Sequence, residues 1–344
     1  MDIKSLYIDE LIGEMKKLRQ PEFRGKQLFE WLHSKQATSY DEMTNLPKDL
    51  REDLKEKYPL TVLEEVDSLH SQEDSTVKYL FKLHDGNIIE SVLMKYKHGN
   101  TVCVSSQVGC KMGCTFCAST IGGKKRDLLA SEMLDQVYRI QEISGERVSN
   151  VVVMGVGEPF DNYDNLVRFL RILIDEKAIN IAARSITVST CGIPDRIRDF
   201  AKEGMQVTLA LSLHAPNNEL RQKMMPVAKK YDLDEVMDAF KFYYDETGRR
   251  LTFEYCLVDG LNDEEEHAIE LVNLVKGLNC HVNLIPINPI KEREYKKSKN
   301  LKIQMFKNIL EKYRINVTIR REMGADIEAA CGQLRKSYMD EASH

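Results

Sequence analysis

The stretch Cys110-Lys-Met-Gly-Cys114-Thr-Phe-Cys117 puts three thiols on one short, glycine-containing loop. Thiolates so spaced can wrap a single iron–sulfur cluster, which ordinarily takes four cysteines. Three ligands leave one iron without a protein partner, as a catalytic zinc site keeps one position open. Amino and carboxylate groups of a small molecule can chelate that iron and receive an electron through it. Two other readings compete: a three-cysteine zinc site, and buried thiols close together by chance. Zinc usually takes a fourth Cys or His at short spacing. The nearest histidine, His98, lies upstream across an expected turn.

Glu90 is a candidate of a different kind. Val77, Tyr79, Phe81 and Leu83 alternate with Lys78 and Lys82, and Asp85-Gly86 then turns into Ile88–Met94, which predicts a β-hairpin. Glu90 shares a strand face with Ile88, Val92 and Met94. A carboxylate on an apolar face is costly unless it is paired or has work to do. The bland alternative is an edge strand with Glu90 in water.

The elements that must position these groups follow from periodicity. Residues 1–60 read as a helical accessory domain: Ile8, Leu11, Ile12, Met15 and Leu18 recur at helical spacing, then Leu28, Phe29 and Leu32, then Leu46, Leu50 and Leu54. Phe23–His33 mixes basic and aromatic side chains and reads equally as an RNA contact or as a core helix with a charged outer face. Residues 61–95 read as a hairpin linker, and 96–344 as the catalytic domain. In that domain strand candidates (Thr101–Ser106, Asn150–Met154, Ser185–Ser189, Val207–Ser212, Thr252–Leu257, His281–Ile287 and a last Asn316–Arg321) alternate with helices such as Ser131–Ile143, Tyr163–Glu176, Leu233–Glu246 and Glu264–Leu278. Repeated βα units imply a parallel sheet, wholly or partly closed as a barrel, with its chemistry at the C-terminal strand ends.

The cysteine loop follows the first of these strands, as that rule requires. The second ends in Gly155-Val-Gly157-Glu158-Pro159, where glycine lets backbone approach a ligand and Glu158 can accept hydrogen bonds from an ammonium group. The third ends in Ser189-Thr-Cys191, the fourth in Ser212-Leu213-His214 and the sixth in Asn288-Pro289. Small polar groups on one rim suit the hydroxyls, carboxylate and base of a nucleoside cofactor. Together with the open iron they point to a radical S-adenosylmethionine enzyme. Cys103, before the cluster loop, and Cys331, on a small-residue segment able to bend over the barrel mouth, are spare thiols. Either alone is more often inert, and Cys191, Cys256 and Cys280 fall in that class.

Composition sets the bounds. The chain of 344 residues is 42% hydrophobic and 30% charged, with a net charge of −5. It has no apolar run long enough to span a membrane and no signal-peptide core, so a cytoplasmic location is expected. Eight cysteines in a reducing compartment suggest metal binding or chemistry rather than disulfides. The charge neither demands nor forbids a nucleic acid, because local basic patches such as Lys124-Lys125-Arg126 and Arg320-Arg321 remain available.

These motifs resemble the RlmN-type adenine-2 methyltransferases. The likeness runs nearly the whole length, through Ile89-Glu90-Ser91-Val92, Ser105–Cys110 with the triad, Gly155–Pro159, Ser212–Ala215, His281–Pro286, Thr318–Arg321 and Ala330-Cys331-Gly332. Cys191 departs from the family's usual Ser, which touches local packing only. The resemblance implies a radical S-adenosylmethionine partial (β/α)6 barrel with a small helical N-terminal domain. It implies a [4Fe–4S] cluster on Cys110, Cys114 and Cys117, and S-adenosylmethionine held near Gly157, Glu158, Ser189, Ser212, Leu213, His214 and Asn288.

It also implies a use for the spare thiols. Cys331 takes a methyl group from one S-adenosylmethionine; a second, cleaved at the cluster, supplies the radical that activates the S-methyl group to add to carbon 2 of adenine. Attack by Cys103 then releases the methylated RNA and leaves a Cys103–Cys331 disulfide, which a cellular thiol reductant resets. Glu90 or Cys103 accepts the adenine proton. The implied substrates are the peptidyl-transferase loop of 23S rRNA and the adenosine beside the anticodon of tRNA, with an electron donor such as flavodoxin or ferredoxin and a monomeric enzyme. Two rivals remain: a Cfr-type relative acting on carbon 8, and, from another class, a non-catalytic zinc-stapled RNA-binding protein. The Ala118-Ser-Thr-Ile-Gly-Gly123 loop resembles the carbon-2 enzymes.

Overall fold

The structure, a computed structural model, describes residues 2–334. Three helices open the chain: α1 (Ile8–Lys17), α2 (Phe23–His33) and α3 (Lys48–Lys57). Each buries an apolar stripe, Leu11 and Met15 on α1, Leu28, Phe29 and Leu32 on α2, Leu50 and Leu54 on α3. Their attachment to the rest is polar as well as apolar. Lys4 Nζ meets Asp135 at 2.7 Å, with the two side chains only 3% and 5% exposed. Lys4 also donates to the Thr61 carbonyl, and the second Asp135 oxygen accepts from Leu63 N–H.

An antiparallel wing follows, β1 (Glu64–His70), β2 (Val77–Lys82), β3 (Ile88–Tyr96) and β4 (Gly99–Cys103). The predicted hairpin is β2–β3. β1 is an addition that polar, half-exposed residues with a bulge near Asp67 did not announce. The wing is continuous with the barrel sheet: β3 lies between β2 and β4, so Glu90 is buried within the sheet and is not on an edge in water.

A small ribbon of β5 (Gln107–Val108) and β6 (Arg126–Asp127) frames the cysteine loop. The βα repeats then run α4 (Ala130–Ser144), β7 (Val148–Val153), α5 (Tyr163–Ile174), β8 (Ile186–Thr190), α6 (Pro194–Lys202) and β9 (Thr208–Ser212). They continue with α7 (Asn218–Met224), α8 (Leu233–Thr247), β10 (Leu251–Leu257), α9 (Glu265–Val275), β11 (Cys280–Pro286), α10 (Asn300–Lys312) and β12 (Asn316–Ile319). Within the main sheet the pairings from β4 to β12 are all parallel, in the order β4-β7-β8-β9-β10-β11-β12, while the separate β5–β6 ribbon is antiparallel. The ten-stranded sheet ends in β1 and β12, so the barrel is partial.

Local chemistry explains the punctuation. Asp232 caps α8 through Glu235 N–H, and left-handed Gly145 and Gly248 end α4 and α8. Leu166, Phe169, Leu170 and Leu173 turn one face of α5 to the sheet. Parallel strands with helical returns gather their C-terminal ends on one rim. Among the described residues no helix is long and apolar enough to cross a membrane.

Candidate active site

The cysteine loop closes on itself through Gly109, whose φ is +76°; a Cβ there would fall 2.0 Å from the Gly123 carbonyl. This closure turns Cys110, Cys114 and Cys117 toward a cavity of about 160 Å³ at the barrel rim. Gly157, Glu158, Ser189, Ser212, His214, Asn288 and Cys331 line the same cavity. Leu213 does not: it is buried in the main core, and its backbone N–H donates to the Glu254 carbonyl.

Glu158 is buried and already accepts three bonds, from Phe160 N–H, Thr190 Oγ1 and Cys191 N–H. Burial raises its carboxyl pKa, while those three donors oppose the rise. A carboxylate offers about four acceptor positions, so roughly one remains for a ligand. The reason for Gly157 differs from the expected one. Its φ is +115°, and a Cβ would lie 2.6 Å from Ser106 Oγ, so the chain's own packing demands glycine before any ligand does.

Ser189 and Ser212 join their hydroxyls at 3.1 Å. His214 accepts the Cys256 N–H on Nδ1 at 3.0 Å, which leaves its proton on Nε2. Burial, then Arg221, pushes its pKa down to about 3, so it stays neutral. Asn288 donates from Nδ2 to the Cys331 carbonyl, while its Oδ1 is buried and without a hydrogen-bond partner. The cavity thus offers hydroxyls, an N–H donor, a carboxylate and an orphaned acceptor.

A second cavity, about 30 Å³, lies beside the first and is bounded by Tyr96, Cys103, Arg320 and Cys331 among others. Cys331, Asn288 and Arg320 line both cavities. The segment carrying Cys331 is tied to the wing by Gly324 N–H to Asp74 and Lys78 Nζ to the Glu328 carbonyl. It is tied to the cysteine loop by Ala118 N–H to the Gly332 carbonyl at 2.8 Å and Ser119 Oγ to the Leu334 carbonyl at 2.8 Å.

Cys103 shares its strand face with Val92, its partner across the β3–β4 pair, and hence with Glu90. Burial pushes the Cys103 thiol up to about 12; a neighbouring Cys331 thiolate would push the same way, and Arg320 pulls back. Glu90 lies 3.4 Å from Lys78 Nζ and lines neither cavity.

Cys191 and Cys256, read in the sequence as inert thiols with Cys191 close to the rim, both face the cavity; so do Glu254 and Arg320, to which the sequence reading gave no role there. The strand-end rule, applied to the fifth strand, would have found Cys256; Arg320, at the end of the last strand, was visible only as half of a basic pair.

The residues fit a cluster with a nucleoside-bearing amino acid. Soft thiolates select iron–sulfur clusters, and a cluster seats each thiolate on its own iron. Among the described residues no three His, Cys, Asp or Glu side chains group as the ligands of a single metal ion. Burial pushes the Cys110 thiol up to about 12, a penalty that bonding to a metal reverses.

Known proteins agree with this geometry. Residues 104–272 match the radical SAM superfamily model, and residues 2–59 match the ribosomal RNA large subunit methyltransferase N-terminal domain. Fold and site thus define a radical S-adenosylmethionine enzyme, a class built around a [4Fe–4S] cluster and S-adenosylmethionine. A Lachnoclostridium phytofermentans protein named "Probable dual-specificity RNA methyltransferase RlmN" is 60% identical over 99% of this chain and 96% of its own length. A Lachnospira eligens protein of the same name is also 60% identical, over 99% of this chain and 97% of its own. The crystal structure of a radical SAM methyltransferase from Sphaerobacter thermophilus superposes with a TM-score of 0.94 at 45% identity, covering 98% of this chain and all of that one. This chain belongs to the RlmN family. Membership in a family of enzymes removes the non-catalytic zinc protein from consideration.

Proposed function

We propose that this enzyme methylates carbon 2 of adenosine in the peptidyl-transferase loop of 23S rRNA and beside the anticodon of tRNA, with Cys331 as the methyl carrier. One observation carries the reading: Cys331 lines both cavities, with the three thiols of the cluster loop in one and Cys103 in the other. Carbon 2 of adenine has no lone pair with which to attack a sulfonium. A bound cluster and S-adenosylmethionine supply the methyl group and the one-electron chemistry that such a carbon needs.

The chain's own residues do the rest. Asn288 and Ala118 grip two successive backbone carbonyls, those of Cys331 and Gly332. Arg320 lines both cavities with Cys331, whose thiolate is the form that accepts a methyl group. Once Cys331 is joined to adenine through a methylene bridge, Cys103 gives up its thiol proton and attacks the Cys331 sulfur. The S–S bond forms, the sulfur–carbon bond breaks, and the departing carbon takes the electron pair and a proton to become the methyl group. A thiol reductant then reduces the disulfide. In the family pattern Glu90 is a candidate acceptor of the adenine proton. From its place beside Lys78 it can do so only when the wing face opens toward the base.

The target base must leave its stack, at a cost of a few kcal/mol, and the second cavity, about 30 Å³, must widen to admit it. The supporting features are the tether of the Cys331 segment to the Ala118–Gly123 loop and the relatives' names. A cytoplasmic, monomeric enzyme served by a small electron carrier is part of the same reading.

The test uses reconstituted enzyme and unmethylated transcripts deuterated at carbon 2 or carbon 8. Label should leave carbon 2 alone, with 2-methyladenosine found by mass spectrometry in both RNAs. Loss of the carbon-8 label would overturn the assignment in favour of Cfr-type chemistry.

A further inference from the structure

Arg221, on α7, is fully buried. Its guanidinium donates from Nη2 to the carbonyls of Cys191 at 2.6 Å and Ser212 at 3.4 Å, and from Nε to that of Leu213 at 3.3 Å. Nη1 is buried and without a partner. Every acceptor is a neutral carbonyl. Among the described residues it forms no ion pair with a carboxylate; the nearest one traced through hydrogen bonds, Glu158, is already engaged by Thr190 and Cys191, and the layer that Arg221 backs holds the thiols of Cys114 and Cys191. An arginine stays protonated at any ordinary pH, and a buried cation without an anion is strongly unfavourable. The fold keeps one here, so an anion belongs nearby.

The direction of that anion is set by packing. The helix carrying Arg221 is fastened to the cysteine loop: Thr115 donates from N–H and from Oγ1 to the Met224 carbonyl, at 2.9 and 3.2 Å. Cys114, Cys191, Met224 and Met225 form one packed layer, and Cys114 and Cys191 line the cavity. Arg221 therefore touches the backbone of this wall from the protein side, while the cavity lies across it.

We propose that Arg221 is the built-in counter-ion of the iron–sulfur cluster, a positioning residue that compensates the ligand charge at Cys114 and favours the reduced cluster. The inference rests on reading Cys110, Cys114 and Cys117 as the ligands. Reduction adds one electron from an external donor and no other atom moves, so a fixed positive charge nearby stabilises the reduced form. Net charge around a cluster is one of the main determinants of its potential.

The full-length enzyme is reconstituted with iron and sulfide, and its midpoint potential is measured by dithionite titration followed by electron paramagnetic resonance. Arg221→Gln should shift the potential to more negative values. It should also shrink the rise in melting temperature that cluster loading produces, while Arg221→Lys keeps both close to wild type. A residue that merely ties carbonyls together would lower stability with and without the cluster and leave the potential of the loaded fraction alone. An unchanged potential in Arg221→Gln overturns the proposal. So does an unchanged potential with lost S-adenosylmethionine affinity, which would make the cofactor's carboxylate the missing anion. If Arg221→Gln does not fold, Arg221→Met decides in its place: a potential shifted to more negative values supports the counter-ion, and an unchanged potential overturns it. A wild-type chain that holds no cluster would instead refute the ligand assignment itself.

Discussion

The side-chain amide of Asn288 donates to the backbone carbonyl of Cys331 at 3.0 Å. The end of β11 is thereby bound to a segment that enters the site from beyond the last strand. The next carbonyl along the chain, that of Gly332, is held by Ala118 N–H, one residue past Cys117. The proposed methyl carrier is thus clamped between the cluster loop and a strand end, which fixes its thiol at the junction of the two cavities.

Replacing Cys110, Cys114 or Cys117 with Ala is expected to abolish reductive cleavage of S-adenosylmethionine, because each thiol faces the same cavity. The assay is 5′-deoxyadenosine by chromatography under dithionite, with iron measured in parallel. A triple variant producing it at the wild-type rate would refute the cluster assignment.

The two spare thiols should fail in different ways. Cys331→Ala has no methyl acceptor and should form no RNA–protein adduct. Cys103→Ala lacks the thiol that resolves the bridge, so an adduct through Cys331 should accumulate and migrate slowly on a denaturing gel until ribonuclease is added. Product formation by Cys103→Ala without any adduct would contradict this division of labour.

Gly157→Ala should cost stability where Gly13→Ala does not. At Gly157 a Cβ meets Ser106 Oγ at 2.6 Å and Gln107 Cβ at 2.7 Å with φ at +115°, whereas nothing lies within 4 Å of a Cβ at Gly13. Overpacking of this kind typically costs about 1–3 kcal/mol, while glycine to alanine inside a helix gains up to about 1 kcal/mol. Urea denaturation of the two variants should move in opposite directions.

His33 predicts acid sensitivity. It is fully buried against Tyr138, and burial, then Lys4, pushes its pKa from the ordinary 6.5 down to about 3. Above the unfolded value both states are neutral and pH has no effect. Below it the unfolded chain takes up a proton that the folded chain refuses, so stability falls as pH drops from 6.5 toward 3. The slope from this one group approaches about 1.4 kcal/mol per pH unit. His33→Gln should flatten the pH dependence of urea unfolding between pH 7 and 5 by roughly that amount.

Strand periodicity and the cysteine spacing were readable because each reports a local rule. Alternation placed the β2–β3 hairpin, and the strand-end rule brought Glu158, Ser189, Ser212, His214 and Asn288 to one cavity. What stayed hidden depends on contacts distant in sequence. Arg221 looks like any helix-surface arginine until α7 folds against the cysteine loop. Glu90 was legible as a carboxylate on an apolar face, but its partner Lys78, across β2–β3, becomes visible only once register is fixed. The β1 strand is polar enough to read as loop. Leu213 was carried along by its neighbours in a motif, although its side chain faces the core.

The buried Lys4–Asp135 pair has a thermodynamic consequence. Separating the N-terminal helices from α4 would strand both charges, and breaking such a pair from one side typically costs about 3–5 kcal/mol. The N-terminal helices and the barrel therefore share one cooperative unfolding event. Heating should give a single endotherm. A substitution at Lys4, far from every thiol at the rim, lowers the melting temperature of the entire enzyme.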